Sequence, residues 1–273
     1  MANITKLHKT YKRAFCVIEM KQKMSLKEIN ATRNHAKFPW NMRVLSYASL
    51  PFSYIFINFL PFTANQITFM WGILALVGIF FIALGGYWNF LIGIIIFQFS
   101  LLIDHIDGSV ARARKNSTIG GLYLDFFWHY IHRALLMLAL GIGLFVMKKN
   151  TLYFYLGIWC SFLFLFDNIT KLKVYETMLA FNRFDLLKKK ENLDKTSEYL
   201  QTKDNLNKKL KIYIGELMRP NQPFSLIFWA ILFNLAIPYL IFMSIVLPFI
   251  FIDTFIKVYL KIGNLPLYKD KTG

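Results

Sequence analysis

At 273 residues, with 56% hydrophobic and 18% aromatic positions and a mean hydropathy of +0.42, the chain falls outside the range of soluble globular domains. A net charge of +17 can signal nucleic acid, but here the basic residues lie between apolar runs. That arrangement fits cytoplasmic loops and anionic lipid headgroups, so membrane lipids and no nucleic acid are the expected partners.

The chain order predicts an all-α integral membrane protein of six transmembrane helices preceded by a cytoplasmic and interfacial helical segment. That first segment covers 1–62. Residues 1–43 are polar and basic, and Lys6, Lys9, Lys12, Arg13, Lys21 and Lys23 interrupt any apolar signal core, so no cleaved signal peptide is expected. Residues 44–62 are apolar but carry Pro51 and Pro61; a span is conceivable, and an interfacial or re-entrant piece is favoured. Cys16 and Cys160 fall in a charged segment and an apolar run respectively, which suits inert structural roles rather than a disulfide framework.

A catalytic membrane domain is expected over 63–262. Its first span runs from about Ile67 to Leu84 and closes at Gly85-Gly86-Tyr87-Trp88-Asn89. The second runs from about Phe90 to Ile103 and continues into an acidic string. Residues 119–146 make the third, and Leu152 to Phe166 begin the fourth. An insertion at 171–222, with Lys188-Lys189-Lys190, Lys208-Lys209 and Lys211 among interspersed acids, reads as a solvated, largely helical cytoplasmic loop. The stretch 223–260 holds either two helices broken near Asn234 to Pro238 or one helix plus an interfacial segment. Two are preferred, giving six spans before a tail at 263–273. Placing the amino terminus inside puts most Lys and Arg on the cytoplasmic side, against only Lys148 and Lys149. An active site facing the cytoplasm follows, and the Asn168-Ile169-Thr170 sequon on that side is not expected to be glycosylated.

Asp104-His105-Ile106-Asp107-Gly108-Ser109-Val110-Ala111-Arg112 ends one apolar segment, and Gly121, Asp125, His129 and His132 line the start of the next. Charges at a membrane edge mark a site more often than a surface. On a helix, Asp104 and Asp107 share a face, and so do Gly121, Asp125, His129 and His132. Carboxylate oxygens are hard ligands suited to Mg²⁺ or Mn²⁺, whose shell is completed by substrate phosphate. Gly108 and Gly121 remove side chains where a phosphate or nucleotide approaches the backbone, and Arg112 offers a forked donor to phosphate.

This string resembles the signature of the CDP-alcohol phosphatidyltransferase family, D-x2-D-G-x2-A-R-x8-G-x3-D-x3-D. Asp104, Asp107, Gly108, Ala111, Arg112, Gly121 and Asp125 match it with the right spacing. Thr118 matches a small hydroxyl residue often found there. Thr63-Ala64-Asn65-Gln66-Ile67-Thr68 is similar to the family's T-P-N-x-x-T start of its first helix, with Ala64 replacing the proline. The likeness is good over roughly 40–170 and only general beyond. It implies a six-helix fold, often dimeric, so a homodimer is expected. It also implies metal-dependent transfer of a phosphoalcohol from a CDP-alcohol donor to an acceptor hydroxyl, releasing CMP. By position, Asp104, Asp107 and Asp125 would hold Mg²⁺ or Mn²⁺, while Gly108, Ala111, Arg112, Thr118 and Gly121 would line the cytidine and phosphate site. Asn65 either caps its helix or joins that cavity.

His129 departs from the signature, which has its fourth aspartate there, the base for the acceptor hydroxyl. A neutral histidine can accept a proton near pH 7 or ligate metal. The base role is favoured; a role only in ligation or acceptor orientation, or a degenerate site, are the alternatives. Arg133 is a candidate for binding an anionic acceptor group, and His132 is read as a hydrogen-bonded packing residue. His105 is left out of the site, and Asp167 and Asn168 read as interfacial. The departure at His129 and the basic insertion tilt the substrate expectation toward a small CDP-alcohol with a lipid, polyol or lipid-linked saccharide acceptor. The alternatives are a phospholipid synthase using CDP-diacylglycerol and an inactive membrane paralogue or transporter.

Overall fold

Every regular element in the described residues is a helix. The structure, a computed structural model, describes residues 23–33, 40–180 and 223–263. Cys16, the lysine clusters at 188–190 and 208–211, and the tail past 263 lie outside the described residues. Short helices come first: α1 (Leu26–Ala31), α2 (Trp40–Ala48) and α3 (Leu50–Asn58). Long ones follow as α4 (Ala64–Leu84), α5 (Tyr87–Arg114), α6 (Ile119–Lys148) and α7 (Thr151–Ala180), then α8 (Pro223–Leu232) and α9 (Ala236–Gly263).

Five of these, α4, α5, α6, α7 over Thr151–Thr170 and α9 over Ala236–Leu260, are long and apolar enough to cross a membrane. By helix composition the chain is a multi-pass integral membrane protein. The expected sixth span is not among them. Of the stretch that would supply it, ten residues are described, as α8. The break expected near Asn234 is present. Asn234 adopts a left-handed φ of 58° and its N–H donates to Ile231 O, which ends the helix.

The helices form two compact units. One comprises residues up to Leu84 together with Trp88–His132. Within it, α2 and α3 are each nine residues long and meet at Ser49, whose own backbone is helical, with Pro51 in the first turn of α3. Their faces are inverted relative to a water-soluble pair. Ser46, Ser49 and Ser53 are buried, whereas Val44, Tyr47, Phe52 and Ile55 are exposed. Arg33 explains the polar interior. Its Nη1 donates to Ser46 O and to Ser49 Oγ (3.0 Å), and its Nη2 donates to Ser53 Oγ (2.6 Å). Burial, and then the charge of Arg112, bring this guanidinium down to about 10. Asn58 holds the same segment at its other end, accepting from Met24 N (2.9 Å) and donating to Met24 O (3.0 Å). Further on, α4 and α5 cross where Gly78 and Gly93 meet: a Cβ on Gly78 would stand 2.7 Å from Gly93 O, so only paired glycines permit this approach. Ile67, Ile106 and Val110 form the core beside Phe56, Ile57 and Phe62.

The second unit comprises Gly85–Tyr87 and the chain from Arg133 onward. Gly141 of α6 and Gly157 of α7 make a similar close crossing. Cys160 is buried here as an unpaired thiol, in keeping with a packing role. Pro248 lies inside α9 and cannot donate to Ser244 O. The Trp159 indole N–H donates to that carbonyl at 3.2 Å, satisfying a group that lipid could not.

Candidate active site

The site is built where α4 begins, α5 ends and α6 begins. Thr63 caps α4 through a capping box: its Oγ1 accepts from Gln66 N (3.3 Å), and Gln66 Oε1 accepts from Thr63 N (2.9 Å). Asn65 is therefore not the cap, which settles one of the two roles open to it. At the other side, α5 stops at Lys115, whose left-handed φ of 51° lets Asn116 N donate to Ala111 O. Thr118 then caps α6, accepting from Gly121 N at 3.0 Å.

One turn of α6 carries Asp125 and His129, and Asp104 of α5 meets them there. His129 Nε2 lies 3.3 Å from Asp125 Oδ1 and 3.5 Å from Asp104 Oδ1. One ligand atom from each of the three falls within 4.8 Å of the others. Two carboxylates and an imidazole at this spacing fit Mg²⁺ or Mn²⁺. Asp107 does not join that group. It is buried, and its Oδ2 accepts from Thr68 Oγ1 (2.6 Å) and Trp71 Nε1 (3.1 Å). Trp71 also packs against the His129 ring, with centroids 5.2 Å apart.

Beside this cluster opens a cleft of about 250 Å³. Ala64, Asn65 and Thr68 of α4 line one side, Asp107, Gly108, Ala111 and Arg112 of α5 another, and Ser117, Thr118, Gly121, Leu122 and Asp125 the rest. All six positions expected at the cytidine and phosphate site thus border one cavity that also contains Asp107 and Asp125. Gly121 is the tighter of the two glycines. A Cβ on Gly121 would run into Asn65 Oδ1, the side chain whose Nδ2 donates to Thr118 Oγ1 at 3.3 Å. A Cβ on Gly108 would stand 3.2 Å from Arg112 Nη1.

The sequence profile of the CDP-alcohol phosphatidyltransferase family matches residues 62–190, from just before α4 into the residues after α7. The chain belongs to this family. It is accordingly a member of an enzyme family that transfers a phosphoalcohol from a CDP-alcohol donor to a hydroxyl acceptor, typically with metal. No curated protein matches the chain.

Several residues of this phosphotransferase hold places that the motif does not assign. Thr68 and Trp71 hold Asp107, and the signal was present: Asn65, Thr68 and Trp71 recur every three residues on one face of α4. Ser117 carried no pattern. His132 is buried among aromatic rings, stacked on Trp128 with centroids 5.1 Å apart, and Gly72 makes room for that indole. The packing expected of it is present, but the expected hydrogen bond is not: neither ring nitrogen makes one of normal geometry. Arg133 follows it on α6, half-buried, as the first residue of the second unit on that helix. His105 stays outside the Asp104–Asp125–His129 group. Asp167 and Asn168, read from the sequence as interfacial, are both buried within their unit.

Proposed function

We propose that the chain transfers a small phosphoalcohol from its CDP derivative to a hydroxyl on a lipid or lipid-linked saccharide, at the cytoplasmic face of the membrane. The observation that carries this reading is the juxtaposition of the Asp104–Asp125–His129 group with the cleft bordered by Arg112, Gly121 and Asn65. Asp104 and Asp125 would hold the divalent cation, with Asp107 contributing through the oxygen not engaged by Thr68 and Trp71. The cation supplies charge neutralisation at the diphosphate.

The chain's own groups supply the rest. Arg112 offers two nitrogens to phosphate oxygens. The Asn65–Thr118 pair shapes the wall against which the nucleotide rests. His129 takes the proton as the acceptor oxygen bonds to the β-phosphorus, and the bond to the CMP oxygen breaks with its electron pair leaving on CMP. The two flanking carboxylates stabilise the resulting imidazolium. Transfers of this kind gain most of their rate from positioning and electrostatic stabilisation. The Lys and Arg of the amino-terminal segment, with Arg112, Arg114 and Lys115 at the end of α5, support the cytoplasmic orientation.

The test is release of CMP by purified protein with Mg²⁺ or Mn²⁺ across a panel of CDP-alcohols, CDP-diacylglycerol included. Turnover of a small CDP-alcohol is expected. Turnover of CDP-diacylglycerol alone would overturn the donor assignment, and no metal-dependent CMP release with any donor would overturn the reading itself.

A further inference from the structure

Arg114 is the last residue of α5, two residues beyond Arg112, and its side chain does not turn toward the cleft. Its Nη1 donates to Phe62 O (2.6 Å), and its Nη2 reaches Phe56 O (2.8 Å), Ile57 O (3.2 Å) and Leu60 O (2.7 Å). Phe56 and Ile57 belong to the last turn of α3, whose carbonyls have no helical partner. Leu60 and Phe62 belong to the non-helical link into α4. One planar guanidinium thus collects four carbonyls from the whole connection between α3 and α4. Nη2 has two hydrogens, so three of these carbonyls share them. A lysine in the same place has its donors on a single nitrogen and cannot span the set.

What this grip holds is the wall of the cleft. Phe62 is only three residues before Asn65 and six before Thr68, both of which border the cleft from α4. Arg112 and Asp107 border it from α5, the helix that carries Arg114. We propose that Arg114 is a positioning residue for the donor pocket, fixing the start of α4 against the motif helix so that Asn65 meets Thr118 and Thr68 meets Asp107. The inference rests on the cleft being the CDP-alcohol site. The metal group is assembled differently. Asp104, Asp125 and His129 come from α5 and α6 alone, so the α3–α4 connection reaches the cation only indirectly, through Asp107 and Trp71.

That difference gives a readout a general structural role would not produce. CMP and Mn²⁺ binding are titrated separately on the full chain in detergent, for wild type, Arg114→Lys and Arg114→Gln, with thermal unfolding alongside. Both variants should bind CMP roughly ten- to a hundredfold more weakly, the scale of a wall misplaced by about 1 Å. Mn²⁺ affinity should fall far less than CMP affinity, and Arg114→Lys in an Asn65→Ala background should add little further loss. Unchanged CMP affinity in folded variants overturns the inference, as does a parallel loss of CMP and Mn²⁺ binding, or failure of both variants to fold. Wild-type protein that binds no CMP overturns instead the assignment of the cleft.

Discussion

Replacing His129 by alanine and by aspartate separates the roles open to it. Its Nε2 stands 3.3 Å from Asp125 Oδ1 and 3.5 Å from Asp104 Oδ1, so alanine removes both a proton acceptor and the group between two carboxylates. Loss of a general base lowers turnover by about 10²- to 10⁴-fold, or roughly 3–5 kcal/mol of barrier. Aspartate restores the family's fourth carboxylate but adds charge. With its oxygens at about 5 Å from each neighbour and an effective dielectric near 20, each new repulsion is about 3 kcal/mol. His129→Asp should therefore unfold earlier than wild type without metal and gain more from Mn²⁺. The assay is CMP release at rising Mn²⁺, with thermal unfolding at each concentration. His129→Ala should stay slow at saturating Mn²⁺. Recovery of its rate at high Mn²⁺ would assign His129 to ligation, and a wild-type rate throughout would refute the base role. An aspartate variant whose stability ignores Mn²⁺ would refute the placement of the ion.

Other consequences are local. Gly121→Ala should displace Asn65 and raise the donor KM, because overpacking of this kind costs about 1–3 kcal/mol. The double variant with Asn65→Ala should lose less than the sum of the two single changes, and strict additivity in steady-state kinetics would show that the two do not touch. Thr68→Val should remove the 2.6 Å hydrogen bond to the Asp107 carboxylate, a loss of about 1.5–3 kcal/mol for a bond to a charged group. Thermal unfolding of the purified protein reads that loss, and an unchanged transition would mean that Asp107 does not depend on Thr68.

The pattern along the chain determined most of the architecture and nearly all of the cleft's membership. Long apolar runs settled α4, α5, α6, α7 and α9 because lipid allows the backbone few other forms. The spacing of Asp104, Gly108, Arg112, Gly121 and Asp125 was legible because helical periodicity places such residues on common faces. Where a single residue acts across distance, the chain order was silent. Ser46, Ser49 and Ser53 share a helical face, yet nothing in the chain order names Arg33 as the group they meet, nor Arg114 as the group that meets the carbonyls of 56–62. The division among the acids was equally hidden. Spacing treats Asp104, Asp107 and Asp125 alike, yet Thr68 and Trp71 claim Asp107 while His129 sits between the other two. That outcome belongs to the crossing of α4 with the motif helix, because hydrogen bonds and charge depend on which side chains meet across helices. The break in the last apolar stretch was legible, by contrast: Asn234 takes a left-handed φ of 58° within the Asn234 to Pro238 segment where a break was expected, because a local turn needs no partner across the fold.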